Sequence, residues 1–267
     1  MPAPLPLPTR SPASAASSAP AVKLSFGKPH KYGYRVCLYG PGGVGKTTLA
    51  STLPGNTVFV DLDGSLGALG LDVSVLDVAD WADLRAKLNA PGWDGVDNIV
   101  IDTATIAEEM AVAHTLKTVP KDDRGTLAKN VEDYGYGKGY THVFDTFLGL
   151  LGDLDRHSRQ GRTVVLVCHD CTTTVPNPSG EDYLRYEPRL QSPASGKASI
   201  RLRVREWSDH MLFLAFDIDV NKREGKVRGG STRSLYLSDT AFCMAKSRTA
   251  SGVLPIDETF NWSTILK

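Results

Sequence analysis

The run Gly40-Pro41-Gly42-Gly43-Val44-Gly45-Lys46-Thr47 constrains this chain more than any other stretch of it. It satisfies G-x-x-x-x-G-K-[ST], a spacing with a specific physical use. Glycines let the backbone curl around an anion and turn its N–H groups inward. A helix that starts at the lysine adds the partial positive charge of its first turn. Lys46 then reaches toward β- and γ-phosphates, and Thr47 offers its hydroxyl to Mg²⁺. A chance Gly-rich turn lacks the required context, a strand before and a helix after. Here Tyr34–Tyr39 (YRVCLY) reads as a strand and Lys46–Thr52 opens a short helix. The motif predicts ATP with Mg²⁺, held by Gly40, Pro41, Gly42, Gly43, Val44, Gly45, Lys46, Thr47 and Thr48.

Strand and helix patterns alternate through the rest of the chain. Strands are expected at Thr57–Leu62, Ser74–Val78, Asn98–Asp102 (NIVID) and Thr163–Cys168 (TVVLVC). Helices are expected at Trp81–Leu88, Thr105–Lys117, Thr141–Arg159 and Ser199–Ser208. The helix 141–159 places Val143, Phe147, Leu150, Leu151 and Leu154 on one face, with Thr141 as N-cap and Gly161 as its stop. Near-continuous apolar strands between helices imply a mostly parallel sheet covered on both faces, hence an α/β fold. Strands at Met211–Asp217 and Ser234–Leu237, joined by a polar basic turn, add a C-terminal β-hairpin. Residues 1–22 are Pro, Ala and Ser with almost no aromatic or β-branched content, so 1–24 is expected to be a disordered tail and 25–267 the folded domain. Thr118–Gly139 and Asp170–Lys197, the latter with four prolines, read as long irregular loops.

Composition mostly excludes. Thirty basic residues balance thirty acidic ones, so any cationic surface must be local. No apolar run approaches the ~20 residues of a membrane helix, and no secretory signal pattern is present. Four cysteines make no disulfide framework in a chain this long, and a reducing cytoplasm is the expected setting (that of a bacterial host, if the chain is phage-encoded). Cys168-x-x-Cys171 has no second pair to complete a zinc site, and Cys168 falls in an apolar strand.

Two acids stand where a P-loop needs them. Asp102 ends NIVID, at the carboxyl edge of a parallel strand, where an acid can hold Mg²⁺ through water. Its bland alternative is a cap for the next helix. Asp61-Leu62-Asp63 ends the strand after the P-loop helix, where an acid can orient attacking water. An AAA+ ATPase normally carries its water-activating Glu directly after the metal-site acid, but Thr103 stands there.

This order of motifs resembles the RecA family, so the expected architecture is a RecA-like P-loop NTPase core. The resemblance implies that Asp63 of FVDLD is the catalytic base and that Asp102 of NIVIDT serves Mg²⁺. It implies a γ-phosphate sensor at His169, after VVLVC, where the family usually has Gln. It also implies that Lys246 and Arg248 of A-K-S-R are cations reaching a neighbouring subunit's ATP, in a homo-oligomeric filament or ring. Without that likeness they read as two solvated surface charges. The short core, the segment D-Y-G-x-G-K-G-Y at Asp133–Tyr140 and the terminal A-K-S-R…L-P look like phage-encoded single-domain RecA-like proteins, which anneal single-stranded DNA. The likeness covers residues 25–267. It implies single-stranded DNA binding by the loop after the sensor, through Arg185, Tyr186, Arg189 and Lys197. Cations interleaved with rings suit that ligand, although Glu181, Asp182 and Glu187 dilute them. A P-loop kinase for a small molecule, or an ATP-dependent switch acting on a protein partner, is the competing reading.

Overall fold

In the computed structural model, residues 26–28, 30–194, 197–221 and 226–267 are described, with side chains undescribed at 218–221 and 226–231. The expected disordered tail lies outside the described residues. Contacts divide the chain at His30, and the elements below all belong to Lys31–Lys267.

The first half comprises β1 (Arg35–Gly40), α1 (Lys46–Ser51), β2 (Thr57–Asp61), α2 (Leu66–Leu69), β3 (Ser74–Val75), α3 (Trp81–Asn89), β4 (Asn98–Asp102) and α4 (Ala104–Thr118). The second half comprises α5 (Lys138–Arg159), β5 (Thr163–Val175), β6 (Tyr183–Pro188), α6 (Ile200–Trp207), β7 (His210–Asn221), β8 (Lys226–Tyr236), β9 (Lys246–Ser247) and β10 (Val253–Pro255). Six strands lie parallel in the order β7-β1-β5-β4-β2-β3. β8 joins β7 antiparallel and β10 joins β8 antiparallel, which supplies the expected C-terminal hairpin.

Alternation along the strands builds two cores, one on each face of the sheet. Cys37 and Tyr39 of β1 point into a cluster with Leu84, Phe147, Leu150, Leu154 and Val204 from α3, α5 and α6. Val36 and Leu38 point the other way, onto Leu49 and Ala50 of α1, Leu66 of α2, and Trp262 and Ile265 near the C-terminus. The Trp262 indole N–H donates to the Thr52 hydroxyl at 3.0 Å, fixing this terminal segment to the end of α1. The result is an α/β fold with a mostly parallel sheet and both faces covered.

Three expectations need correction. α5 begins at Lys138, and its N-cap is Gly137 in the left-handed region rather than Thr141. Gly137 follows a 3₁₀ turn at Val131–Tyr134, so D-Y-G-x-G-K-G-Y is a helix entry. β5 runs on for thirteen residues, past Cys168 to Val175. Its second half leaves the main sheet and pairs antiparallel with β6, from Asp170↔Pro188 to Val175↔Tyr183. The segment expected to be an irregular loop is therefore largely a β-hairpin; β6 ends on Pro188, a position an edge strand tolerates. Finally, β8 is eleven residues long, so the strand expected from Ser234 starts earlier.

Candidate nucleotide site

β1 delivers the P-loop to the carboxyl edge of the sheet, where ligands of open parallel sheets bind. Gly40 leaves no room for a side chain: a Cβ there would lie 2.0 Å from the Leu214 carbonyl oxygen. Gly43 and Gly45 take φ of +74° and +93°, which returns the loop toward α1. Strands β2 and β4 end beside it, β5 passes it, and the three contribute the other functional groups. Together they surround a cavity of about 510 Å³, lined by P-loop residues with Asp63, Asp102, Thr103 and His169. Lys46, Asp63, Asp102 and His169, far apart in sequence, thus meet at one opening, and Gly42, Gly43, Gly45, Thr47 and Thr48 line it too.

Lys46 is only 7% exposed, and its ammonium donates to the Gly40 and Pro41 carbonyls, both at 2.8 Å. Burial lowers its pKa, an effect opposed chiefly by Asp102. Among the described residues no carboxylate holds it directly, so the head is parked on loop carbonyls at the mouth of an anion cradle. Thr47 donates its hydroxyl to Asp102 Oδ2 at 2.6 Å. Asp102 is 1% exposed, and burial raises its pKa to about 6, helped by the negative charges of Asp63 and Asp61 and opposed by the Thr47 hydrogen bond and Lys46.

Among the described residues no group of three or more His, Cys, Asp or Glu side chains is arranged to hold a metal. Mg²⁺ does not require one. It keeps several waters and takes one or two protein oxygens plus substrate phosphates. The Thr47–Asp102 pair is such a donor set: a hydroxyl and a buried carboxyl in contact, beside the cradle. The residues fit a Mg²⁺–triphosphate, which would supply charge neutralisation at the phosphates.

The two acids after β2 have separate uses. Both Asp61 oxygens are taken up at 3.1 Å, by the amides of Ser65 and Leu66, so Asp61 anchors the start of α2. Asp63 is exposed, accepts from Ser65 N alone at 3.1 Å, and lines the cavity. Of the two, Asp63 has a carboxylate that can meet a water. His169 lies across the opening, and burial lowers its pKa, with Lys46 and Arg189 adding to the shift, so a neutral imidazole is favoured. Its backbone is tied on both sides: His169 N donates to the Thr105 hydroxyl at 3.2 Å, and its carbonyl accepts from Arg189 N at 2.8 Å. Thr103 caps α4 by accepting from Ile106 N at 3.2 Å, leaving the helix-cap role to it rather than to Asp102.

Residues 32–249 match the family model described as an AAA domain. The chain belongs to the AAA domain family. That makes it a P-loop ATPase-family protein, and in this AAA domain the residue after Asp102 is Thr103. A search of curated proteins returns no match. Among solved structures it is similar to a KaiC-like protein from the hyperthermophilic archaeon Pyrococcus horikoshii, at 14% identity and TM-score 0.43, over 84% of this chain and 85% of that one. Among the described residues, no helix is long and apolar enough to cross a membrane.

The remaining sequence candidates are spread over the domain. Lys246 and Arg248 sit at the opposite edge of the sheet, because β9 pairs with the amino end of β7 (His210↔Ser247, Met211↔Lys246). Arg248 is ion-paired to Asp209 at 2.9 Å, and the Lys246 ammonium lies 3.5 Å from the Glu206 carbonyl. Arg185 and Tyr186 are corrections to the expected DNA contacts. The Arg185 guanidinium is buried against Glu187 at 2.6 Å and Asp239 at 3.4 Å, and Tyr186 stacks on Phe213 at a centroid distance of 5.2 Å. Strand alternation in β6 turns Arg185 and Glu187 inward together, toward Arg201 of α6. Arg189 and Lys197 are exposed.

Sequence reasoning overlooked Arg233. This β8 residue lines the nucleotide cavity and donates from Nη1 to the Val44 carbonyl at 3.1 Å. Its strand was expected to begin one residue later, and no local motif ties it to the P-loop.

Proposed function

We propose that this AAA domain binds and hydrolyses ATP with Mg²⁺ and uses that cycle on single-stranded DNA, as a RecA-like annealing or recombination protein of the phage-encoded type. The observation that carries the ATP half is the convergence of Lys46, the Thr47–Asp102 pair, Asp63 and His169 around one cavity. Loop amides and Lys46 bind the phosphates. Asp63 orients and deprotonates the attacking water. His169 sits where a terminal phosphate is gained or lost.

The DNA half is supported by what hangs from His169. Arg189 is held to it by the 2.8 Å backbone bond, and the same stretch runs through Gln191, whose amide donates to Glu108 at 2.7 Å. Exposed Arg189 and Lys197 lie on this segment, so a change at the phosphate has a short hydrogen-bonded route to cations that can meet a DNA backbone. Tyr136, fully exposed and held at φ +50° beside Lys138, offers a ring for base stacking. In its own chain the edge bearing Lys246 and Arg248 faces away from the P-loop. Head-to-tail packing brings unlike surfaces of successive subunits together, and in a ring or filament it would set these cations against the next subunit's site.

The test is ATP turnover titrated with single-stranded DNA. Turnover is expected to rise to a plateau, and DNA affinity to fall with salt by about 0.7 log units per log unit for each phosphate neutralised. Turnover indifferent to DNA, with phosphate transferred to a small acceptor, would replace this reading with the kinase alternative.

A further inference from the structure

Arg233 has a placement that P-loop chemistry alone does not require. It belongs to β8, two strands away from β1, and pairs with Phe216 of β7. The acids of the site approach the P-loop from β2 and β4, on one flank of β1, whereas Arg233 approaches from the β7–β8 flank. Its guanidinium lies directly on the loop. A Cβ built on Gly45 would be 2.3 Å from Arg233 Nη1, so the guanidinium lies against the glycine before Lys46, whose φ is +93°. Among the described residues, the Arg233 guanidinium donates to a neutral carbonyl, that of Val44. Lys46 rests in the same manner on the Gly40 and Pro41 carbonyls. Two cations, one from the loop's own helix and one from the β7–β8 flank, thus sit on carbonyls of one anion-binding loop.

We propose that Arg233 is a same-chain phosphate contact, its guanidinium exchanging the Val44 carbonyl for the phosphate chain of bound nucleotide. This rests on the reading of the cavity as a triphosphate site. An arginine fork can keep one donor on a carbonyl while presenting others to phosphate oxygens, and its charge-assisted bonds outweigh the bond to a neutral carbonyl. Arg233 then completes a collar of charge: Lys46 on one side of the phosphates, Arg233 on the other. It differs from the neighbour-reaching role of Lys246 and Arg248 in acting within one subunit, without assembly.

Arg233→Gln and Arg233→Lys separate this from a merely structural strap. Glutamine keeps a donor for Val44 and removes the charge, whereas lysine keeps the charge. ATP affinity is read by titration calorimetry in the full chain, with Lys46→Ala as reference and the thermal midpoint as a check on folding. The expected result is a ~10-fold or greater loss of ATP affinity in Arg233→Gln, a smaller loss in Arg233→Lys, and little change in midpoint for either. The gap between wild type and Arg233→Gln should also narrow as salt is added. If Arg233→Gln binds ATP within about twofold of wild type while Lys46→Ala does not bind, Arg233 is a strap, and the triphosphate site stands without it. If the wild-type chain binds no ATP, both readings fall.

Discussion

The two edges of the parallel sheet handle charge in opposite ways. At the amino edge, Lys246 apart, the ions around Arg35 are neutralised by counter-ions. Arg35 reaches Asp209 at 3.0 Å and Asp155 at 3.1 Å, Arg248 shares Asp209, and Arg159 shares Asp155. The pKa values there follow: Arg35 is raised chiefly by its hydrogen bond to Asp209, and Asp209 is lowered, its burial outweighed by Arg35. At the carboxyl edge, the heads rest on neutral groups instead. Lys46 and Arg233 sit on carbonyls, Asp102 on a hydroxyl, and burial pushes both Lys46 and Asp102 toward their uncharged forms. A desolvated charge without a counter-ion is costly in the empty protein. That cost is recovered when a polyanion and its cation enter, so the imbalance marks the edge where binding occurs.

The largest expected effect breaks this contrast outright. Lys46→Ala should remove ATP binding at micromolar nucleotide and lower turnover by on the order of 10³-fold or more, since it removes the cation that the P-loop itself carries. Next is Asp63→Asn, expected to keep ATP affinity within a few-fold but to slow single-turnover hydrolysis by roughly 10²–10⁴-fold, the usual range for a lost general base. Normal turnover in that variant would return the base role to another group.

A pH titration sharpens the comparison. Asp102 is ionised above its pKa of about 6 and protonated below it. A bound metal requires the carboxylate, so protons compete with Mg²⁺. Mg²⁺-dependent ATP affinity should therefore be highest above that value and decline as pH falls through it. Affinity that stays flat down to pH ~5 would remove Asp102 from the metal site. The smallest effect is expected at the other edge. Arg248→Ala removes an exposed arginine from Asp209, which keeps Arg35 as its partner, and should change stability by less than ~1 kcal/mol, while hydrolysis falls only under conditions where subunits assemble.

What the sequence made legible follows how local each feature is. The P-loop, Asp102 and Asp63 lie at or just past the ends of apolar strands, and their positions depend on a few neighbouring residues, so spacing was enough to place them at one edge of the sheet. The β5–β6 hairpin was read as loop because Thr172–Val175 and Tyr183–Pro188 are polar strands set among prolines, and their pairing supplies a regularity that composition does not show. Arg185 looked like a DNA contact because it is a cation beside tyrosines; its partners Glu187 and Asp239 decide otherwise, and Asp239 arrives from beyond β8. Arg233 was invisible for the same reason: only tertiary pairing of β8 with β7 brings it to the loop.

β5 carries a mechanical consequence. One unbroken strand is clamped in the sheet as far as the nucleotide opening and then projects beyond it with β6. From His169 to Val175, at about 3.3 Å per residue, the projecting arm measures roughly 20 Å, so a tilt of ~5° at its root swings the tip by ~2 Å. On the proposed function, a phosphate lost beside His169 would act at the root of this arm, and the arm's length would enlarge the resulting movement where it meets single-stranded DNA.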